Sequence, residues 1–590
     1  MTVQTVISML GAIALFLFGM TTMSDGLEKL SSGRLEIILE KMTDNVVKGV
    51  LLGALVTGLI QSSAATTVMC VGFVNAGIMK LRQTVGIIMG ANIGTTVTAQ
   101  LLRLSDISSN NPFTAMLDTA NLGPILAAVG ILFYMFIKGG HKGNIGQICL
   151  GLGVLFIGME TMKASVAPLK DLPAFQELFV AFSNPILGIL VGAGVTALIQ
   201  SSSASMGILQ AVSSTGVVTF GVAAPLIFGQ NIGTCITALL SAIGASKNAK
   251  RTALIHLAFN MTGALFFLVV LYAGNAIFHF PFWNTTLDSG LIANLHSGFN
   301  IACTVLLLPF NRLLVAIVER IIPGEAGKQE INMLDERFLT SPSLALDKAR
   351  ETTVHMAKLA QENYERSLKL LEHYDEKLVE QFKENEAALD KLEVMLDNYL
   401  VKLTDRALSA DESMKVSELL HALSDFERIG DYADNIRECG KYMCQKNVSF
   451  SEDAKRELDS MCTAVSRILD TTVRSYDSHL LSLAAQVEPM EEVVDLLRNA
   501  LRERHVERLK SGRCTVELGM QFLELVINLE RISDHCSNVA VYVLRERAGA
   551  HDLAREDSHA YLHQLHHSND PEYVRVYTQF KQDHLDSLSK

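Results

Sequence analysis

Three absences narrow the field before any motif is read. The chain has no Gly-x-x-x-x-Gly-Lys-Ser/Thr loop, no Gly-x-Ser-x-Gly elbow and no His-Glu-x-x-His pair. It therefore lacks the phosphate cradle of an ATP-driven pump and two common hydrolytic devices, and reads as a non-enzyme. Its nine cysteines include no Cys-x-x-Cys pair. That leaves no disulfide framework and fits a reducing compartment for the five in the second half. Finally, the long apolar segments of the first half carry no well-centred Lys or Arg. An anion held there must be held by dipoles, hydroxyls or co-bound cations.

What is present divides at about residue 322. Residues 1–322 hold apolar runs of bilayer-crossing length, among them 7–23 and 251–272. Beyond about residue 330 the chain is crowded with Asp, Glu, Lys and Arg, and the acidic excess behind the net charge of −12 lies there. An acidic soluble half gives nucleic acid no footing. The first apolar run has no basic residues before it and further spans after it, so it reads as a span rather than a cleavable leader.

The first half is duplicated. Gly19-Met20, Gln61-Ser62-Ser63 and Asn92-Ile93-Gly94-Thr95 return 139 residues later as Gly158-Met159, Gln200-Ser201-Ser202 and Asn231-Ile232-Gly233-Thr234. Basic residues then set the orientation, with the charged half taken as cytoplasmic. Arg312 and Arg320 end the last span inside. The loop 273–290 has no Lys or Arg, carries Phe278, Phe280, Phe282 and Trp283, and lies outside. Lys247, Lys250 and Arg251 are inside again. In the first copy Lys29, Arg34, Lys41, Lys80, Arg82, Lys138 and Lys142 are inside and the loop 103–121, with Asp106 and Asp118, is outside. The N-terminus then lies outside.

That path leaves segment 48–79 with both ends inside and about 15 apolar residues on each side of Gln61-Ser62-Ser63, fewer than the ~20 a helix needs to cross. A re-entrant hairpin follows. Segment 184–219 has both ends outside and must dip in from the other face. Three crossings and one hairpin per copy is an odd number of crossings, which inverts the second copy. The expected architecture is all-α: a polytopic membrane domain over 1–322 (copies at about 5–140 and 144–279, an extra span at about 291–310), a linker at 323–343, a helical bundle at 344–550 and a tail at 551–590.

Polar tips in mid-membrane are tolerated only where buried in protein or lining a cavity. Ser62 and Ser63 precede the returning arm and are placed to cap its N-terminus; Ser201, Ser202 and Ser203 do the same in the second copy. Two helix N-termini converging on one point make an anion site without a fixed positive charge. Hydroxyls, Gln carbonyls and free backbone carbonyls suit a hard cation such as sodium. Small and polar residues in membrane helices also serve as plain packing, but recurrence of two motifs at one interval points to a site.

At these residues the chain resembles the bacterial sodium–phosphate cotransporters, relatives of the animal type II sodium–phosphate cotransporters, over residues 1 to about 320. The resemblance implies inorganic phosphate as substrate and sodium as coupling ion. It implies binding roles for Gln61, Ser62, Ser63, Gln200, Ser201, Ser202 and Ser203, with Thr66, Asn92, Thr95, Asn231 and Thr234 behind them. Cys235 stands where the first copy has Thr96, so that position is not a symmetric ligand.

From about residue 344 the pattern is helical throughout, with breaks near Tyr374, Ala410, Asn447, Glu488 and Ser511 and no strand-like alternation. Phe426-Glu427-Arg428-Ile429-Gly430-Asp431 returns 103 residues later as Leu529-Glu530-Arg531-Ile532-Ser533-Asp534, so two three-helix bundles are expected. Over about 345–550 this half resembles the PhoU family of phosphate-signalling proteins, which implies a divalent or iron-type metal at Glu427, Asp431, Glu530 and Asp534. Glu393/Asp397 and Glu491/Asp495 repeat the one-turn spacing. The alternative is a solvated acidic face with Arg428 and Arg531 in ordinary ion pairs. His559, His563, His566 and His567 in the tail read as a surface helix end.

The reading is a multi-pass protein of the bacterial inner membrane that moves inorganic phosphate with sodium. Its cytoplasmic domain would regulate or self-associate into a homo-oligomer. The rivals are a phosphate exporter or other oxyanion carrier, and a membrane phosphate sensor.

Overall fold

The computed structural model describes residues 3–31, 45–106, 119–136, 140–324, 334–406, 408–545 and 570–589. Part of the 24–47 loop with Arg34 and Lys41, Asp118, Lys138, linker residues 325–333 and the four tail histidines lie outside them. The chain forms two compact units, Met1–Leu344 and Ala345–Lys590. Both are helical; one isolated bridge, Thr219 to Thr286, is the only extended pairing among the described residues.

In the first unit, the first copy runs α1 (Val3–Ser31), α2 (Val46–Ile60), α3 (Ser63–Asn75), α4 (Leu81–Leu102) and α5 (Thr119–Phe136). The second runs α6 (Gly140–Val166), α7 (Pro173–Phe182), α8 (Pro185–Ile199), α9 (Ser202–Ser213) and α10 (Phe220–Ser241), and α11 (Lys247–Phe278), α12 (Ser289–Leu307) and α13 (Asn311–Ile321) follow. Six described helical stretches are long and apolar enough to cross a bilayer, and α2, α3 and α5 are shorter apolar helices. α7 and α8 are bent by 102° across Ser183-Asn184, as expected where a chain turns into a re-entrant segment. The chain is a multi-pass membrane protein.

The 139-residue interval survives into backbone detail. α2 starts on Asn45 and α8 on Asn184, each side chain accepting from backbone N–H groups of the first turn. α2 ends on Gln61 (φ 60°, ψ 22°) and α8 on Gln200 (φ 59°, ψ 21°). Left-handed backbone at a residue with a Cβ costs about 1–2 kcal/mol, so its presence at matched glutamines marks a specified break. α4 and α10 occupy matched positions as well. Their glycines let helices touch backbone to backbone: a Cβ at Gly90 would overlap the Val50 carbonyl oxygen, and one at Gly229 the matching Ile189 carbonyl oxygen.

Two loops are more structured than their composition suggests. α11 runs on to Phe278, and the aromatic loop after it packs back: Tyr272 meets Trp283 edge-on at 4.8 Å, and Gly221 N–H donates to the Trp283 carbonyl. In the expected linker, residues 336–340 form a 3₁₀ turn seated on the end of α3. Asn75 Nδ2 donates to Asp335 (2.5 Å), Arg337 pairs with Asp335 (2.9 Å) and donates to the Ser241 carbonyl (2.7 Å), and Phe338 packs on Phe73 at 5.4 Å.

The second unit holds six long helices, α14 (Pro342–Glu372), α15 (Glu376–Thr404), α16 (Ala410–Lys446), α17 (Glu452–Ser478), α18 (Val487–Lys510) and α19 (Val516–Arg545), with a short turn at 481–484 and a tail helix α20 (Pro571–His584). α16 opens with a capping box, Ser409 to Glu412. The 103-residue repeat appears as reciprocal bonds between α16 and α19: Asn435 Nδ2 donates to Asn528 Oδ1 (3.1 Å), and Asn538 Nδ2 to Asp425 Oδ1 (3.2 Å). Exchanging positions 103 apart (425 with 528, 435 with 538) carries each bond onto the other, so α16 and α19 meet about a local two-fold.

Candidate functional site

Both helix breaks are built alike. Ser62 caps α3 and Ser201 caps α9, their Oγ atoms accepting from Ala65 N (3.1 Å) and Ala204 N (3.2 Å). Gln61 N and Gln200 N still donate to Thr57 and Thr196 carbonyls at 2.7 Å, so each break leaves few backbone groups unmet. Ser63 and Ser202, the first helical residues of α3 and α9, are both buried, at helix ends whose leading N–H groups have no intrahelical acceptor.

The two tips are joined through one residue. Thr98 Oγ1 of α4, buried, donates to Gln61 Oε1 at 2.6 Å, and Ser203 Oγ donates to Thr98 Oγ1 at 3.3 Å. One hydroxyl thus bridges the break of the first copy and that of the second. Gln61 also donates from Nε2 to the Gly58 carbonyl.

The remaining expected residues divide. Thr66, fully buried, accepts from Thr57 Oγ1 at 2.9 Å and donates to the Ser62 carbonyl. Thr95 and Thr234 donate to the carbonyls one turn back, Ala91 and Gln230, at 2.9 Å. Asn92 does not meet the tips; its Nδ2 donates to Asn260 Oδ1 of α11 at 3.1 Å. Asn231 is buried with Nδ2 unbonded to any protein group. The copies also differ at their tips: Gln61 is 8% exposed, whereas Gln200 is exposed and makes no contact matching that of Gln61 with Thr98.

Thr98, Asn260 and Asn300 escaped the sequence reading. Nothing marks Thr98 among the threonines of its helix. Asn260 and Asn300 did carry a signal: His-x-x-Phe-Asn occurs at 256–260 and again at 296–300.

In the second unit, carboxylate oxygens of Glu491, Asp495 and Asp534 lie within 4.8 Å of one another. Glu530 is paired with Arg498, which also lies 3.2 Å from Asp495. Glu427 and Asp431 face each other on α16, with Arg428 at 3.8 and 3.9 Å. Burial first, then the neighbouring Glu488 and Asp495, push Glu491 up to about 9. Burial and Glu530 push Asp534 up to about 6, and burial and Asp431 push Glu427 up to about 7. Crowded, half-buried carboxylates of this kind are relieved by a hard cation, so the donor set fits a divalent ion.

A pH dependence follows from the raised values. The folded unit keeps protons that the unfolded chain releases, from 3.8 up to about 6 at Asp534 and from 4.5 up to about 9 at Glu491. Its metal-free stability therefore falls as pH rises through those windows. A divalent ion displaces the protons, so manganese or magnesium is expected to raise the unfolding temperature of the full chain more at about pH 8 than at about pH 5. An equal rise at both would count against a site at Glu491, Asp495 and Asp534.

Comparison with known proteins bears on both units. The family described as Na+/Pi-cotransporter matches residues 15–164 and 174–289, and the PhoU domain matches 353–439 and 458–543. YqeW of Bacillus subtilis, an uncharacterized protein, is 30% identical over 320 residues, 54% of this chain and 99% of its own length. The chain belongs to the Na+/Pi-cotransporter family. Behind that domain this member carries a PhoU-like helical unit. YjbB of Salmonella typhimurium, provisionally named for inorganic phosphate export, is 24% identical over 551 residues, covering 92% of this chain and 98% of its own. The sodium-dependent phosphate transport protein 2B of Homo sapiens is 38% identical over 123 residues, 20% of this chain and 18% of its own. These assignments agree with a non-enzymatic, phosphate-handling protein of the inner membrane whose helical unit is of the cytoplasmic PhoU type.

Proposed function

We propose that the membrane unit is a secondary phosphate transporter in which two inverted copies alternate access to a site between the Gln61-Ser62-Ser63 and Gln200-Ser201-Ser202-Ser203 breaks. The observation that carries this reading is Thr98, which ties Gln61 to Ser203 inside a membrane unit that lacks centred basic residues. Phosphate would sit against the open first turns of α3 and α9, its charge met by helix dipoles and hydroxyls. Sodium would supply compensation that dipoles alone do not, since a bare anion in a low-dielectric pocket is costly. Residues 1–322 serve as transport domain and 344–550 as the regulatory unit in this reading, with homo-oligomers formed through the helical unit.

Direction is a separate matter. Sodium-driven uptake is what the motifs suggest. Relatives that share both halves along nearly their whole length are named for export, and this supports efflux as the cellular direction. Sodium coupling and export are compatible, because a symporter runs wherever its combined gradients point. Liposomes loaded with labelled phosphate and carrying the full chain are expected to release it several-fold faster than empty liposomes, and faster still with sodium on the same side. Release indifferent to sodium would remove the coupling ion; no release above background would favour a sensor.

A further inference from the structure

The motif on α11 and α12 has a packing meaning. His256-Leu257-Ala258-Phe259-Asn260 returns 40 residues later as His296-Ser297-Gly298-Phe299-Asn300. In both, the Asn Nδ2 donates to the His carbonyl one turn back, at 3.0 and 2.9 Å. Val71 of α3, Ala238 of α10 and Ala249 of α11 share one apolar cluster. Gln210 of α9 donates to the carbonyls of Ala99 on α4 and Ser289 on α12. The second trio is the first with each copy exchanged for the other: 139 positions on for α3, 139 back for α10 and 40 on for α11. A Cβ at Gly263 would lie 2.5 Å from Cys303 Sγ, a contact the same exchange maps onto itself. Exchanging the copies therefore carries α11 onto α12.

Under that exchange the contact of Asn92 with Asn260 becomes one of Asn231 with Asn300. The first is made, at 3.1 Å. The second is not: Asn231 Nδ2 and Asn300 Oδ1 are both buried and have no protein partner, and they are the donor and acceptor that the missing bond would join. Two other pairs show the same imbalance. Thr57 and Thr66 are bonded, while their counterparts Thr196 Oγ1 and Ser205 Oγ are buried and unbonded. Gln61 is buried and held by Thr98, while Gln200 is exposed. A cavity of about 540 Å³ opens among α10, α11 and α12, the helices that carry Asn231, Asn260 and Asn300, and is lined by Phe228, Asn294 and Phe299.

We propose that Asn92–Asn260 and Asn231–Asn300 are mutually exclusive latches, the first closed in this conformation and the second closed when the membrane unit opens to the opposite face. Asn260 and Asn300 are thus positioning residues of the transport cycle. The inference rests on the inverted-copy transporter reading. Its physical sense is balance: an unbonded buried amide costs free energy, and making one latch while breaking its twin keeps that cost equal in both states. Two conformations of similar free energy are what a reversible carrier needs.

The test uses the full chain in liposomes, with Cys235→Thr removing the thiol beside Asn260. Paired Asn92→Cys/Asn260→Cys and Asn231→Cys/Asn300→Cys variants are treated with mercuric ion. Both pairs are expected to bridge well above single-cysteine controls, and to do so whether or not phosphate is the cargo. Bridging of the first pair alone, or of neither, overturns the proposal. A second measurement needs no paired cysteines: labelling of Asn294→Cys in the cavity should slow several-fold with Asn260→Ala and hold or quicken with Asn300→Ala. Equal shifts overturn it. Phosphate release from the same liposomes separates the two questions, since latches without flux would sink the transport reading and flux without the second latch would sink this one.

Discussion

Thr98→Val is expected to slow phosphate flux by about ten- to a hundredfold while the amount of folded protein in the membrane stays close to normal. Valine keeps the shape of threonine and removes the one hydroxyl that Gln61 Oε1 and Ser203 Oγ share. Leaving a buried polar group without a partner costs about 1–3 kcal/mol, and each 1.4 kcal/mol is a factor of ten. Thr98→Ser restores the hydroxyl and should restore most of the flux. The measurement is uptake or release of labelled phosphate, normalised to protein recovered from the membrane. Full flux in Thr98→Val would show that the tips are not coupled through this residue.

The largest effect on folding is expected from Gly90→Ala. The new methyl would meet the Val50 carbonyl oxygen, which belongs to a helix backbone and has no rotamer to change, so α2 and α4 must separate. Overpacking of this kind typically costs about 1–3 kcal/mol, and more where backbone must move. Gly229→Ala should do the same to α8 and α10 through Ile189. Gly11→Ala is the control, since nothing lies within 4 Å of a Cβ there; it should fold as well as the parent. The readout is the monodisperse fraction in detergent. Normal recovery of Gly90→Ala would mean that the helices are not in backbone contact.

How much of this was legible in the residues depended on scale. The breaks at Gln61 and Gln200 could be read because polar triplets interrupt apolar arms too short to cross, and a duplicated interval repeats them. Six long helices in the second half followed from periodicity and turn residues. What the sequence could not give was rotation about helix axes. Thr95, Thr96 and Thr98 look alike in a string, yet only Thr98 reaches both tips. Glu427 and Glu530 sit in the same Glu-Arg-Ile-x-Asp motif, but Arg498 from α18 takes Glu530, and Asp534 gathers instead with Glu491 and Asp495. A neighbour contributed by another helix is invisible to spacing along one. The difference between the two copies was beyond reach for another reason: a duplicated motif reads alike in both, and only the fold shows that Thr57 and Thr66 find each other while Thr196 and Ser205 do not.

The seat of residues 335–341 on α3 alters how the connection to the helical half is to be measured. A reader of the sequence would start the leash at Pro323. With Asp335 and Arg337 fastened to Asn75 at the end of α3 and to Ser241 at the end of α10, the first unit claims the chain almost up to Pro342. Substitutions at Asp335 or Arg337 therefore bear on the returning arm of the first break, and not on a mere spacer.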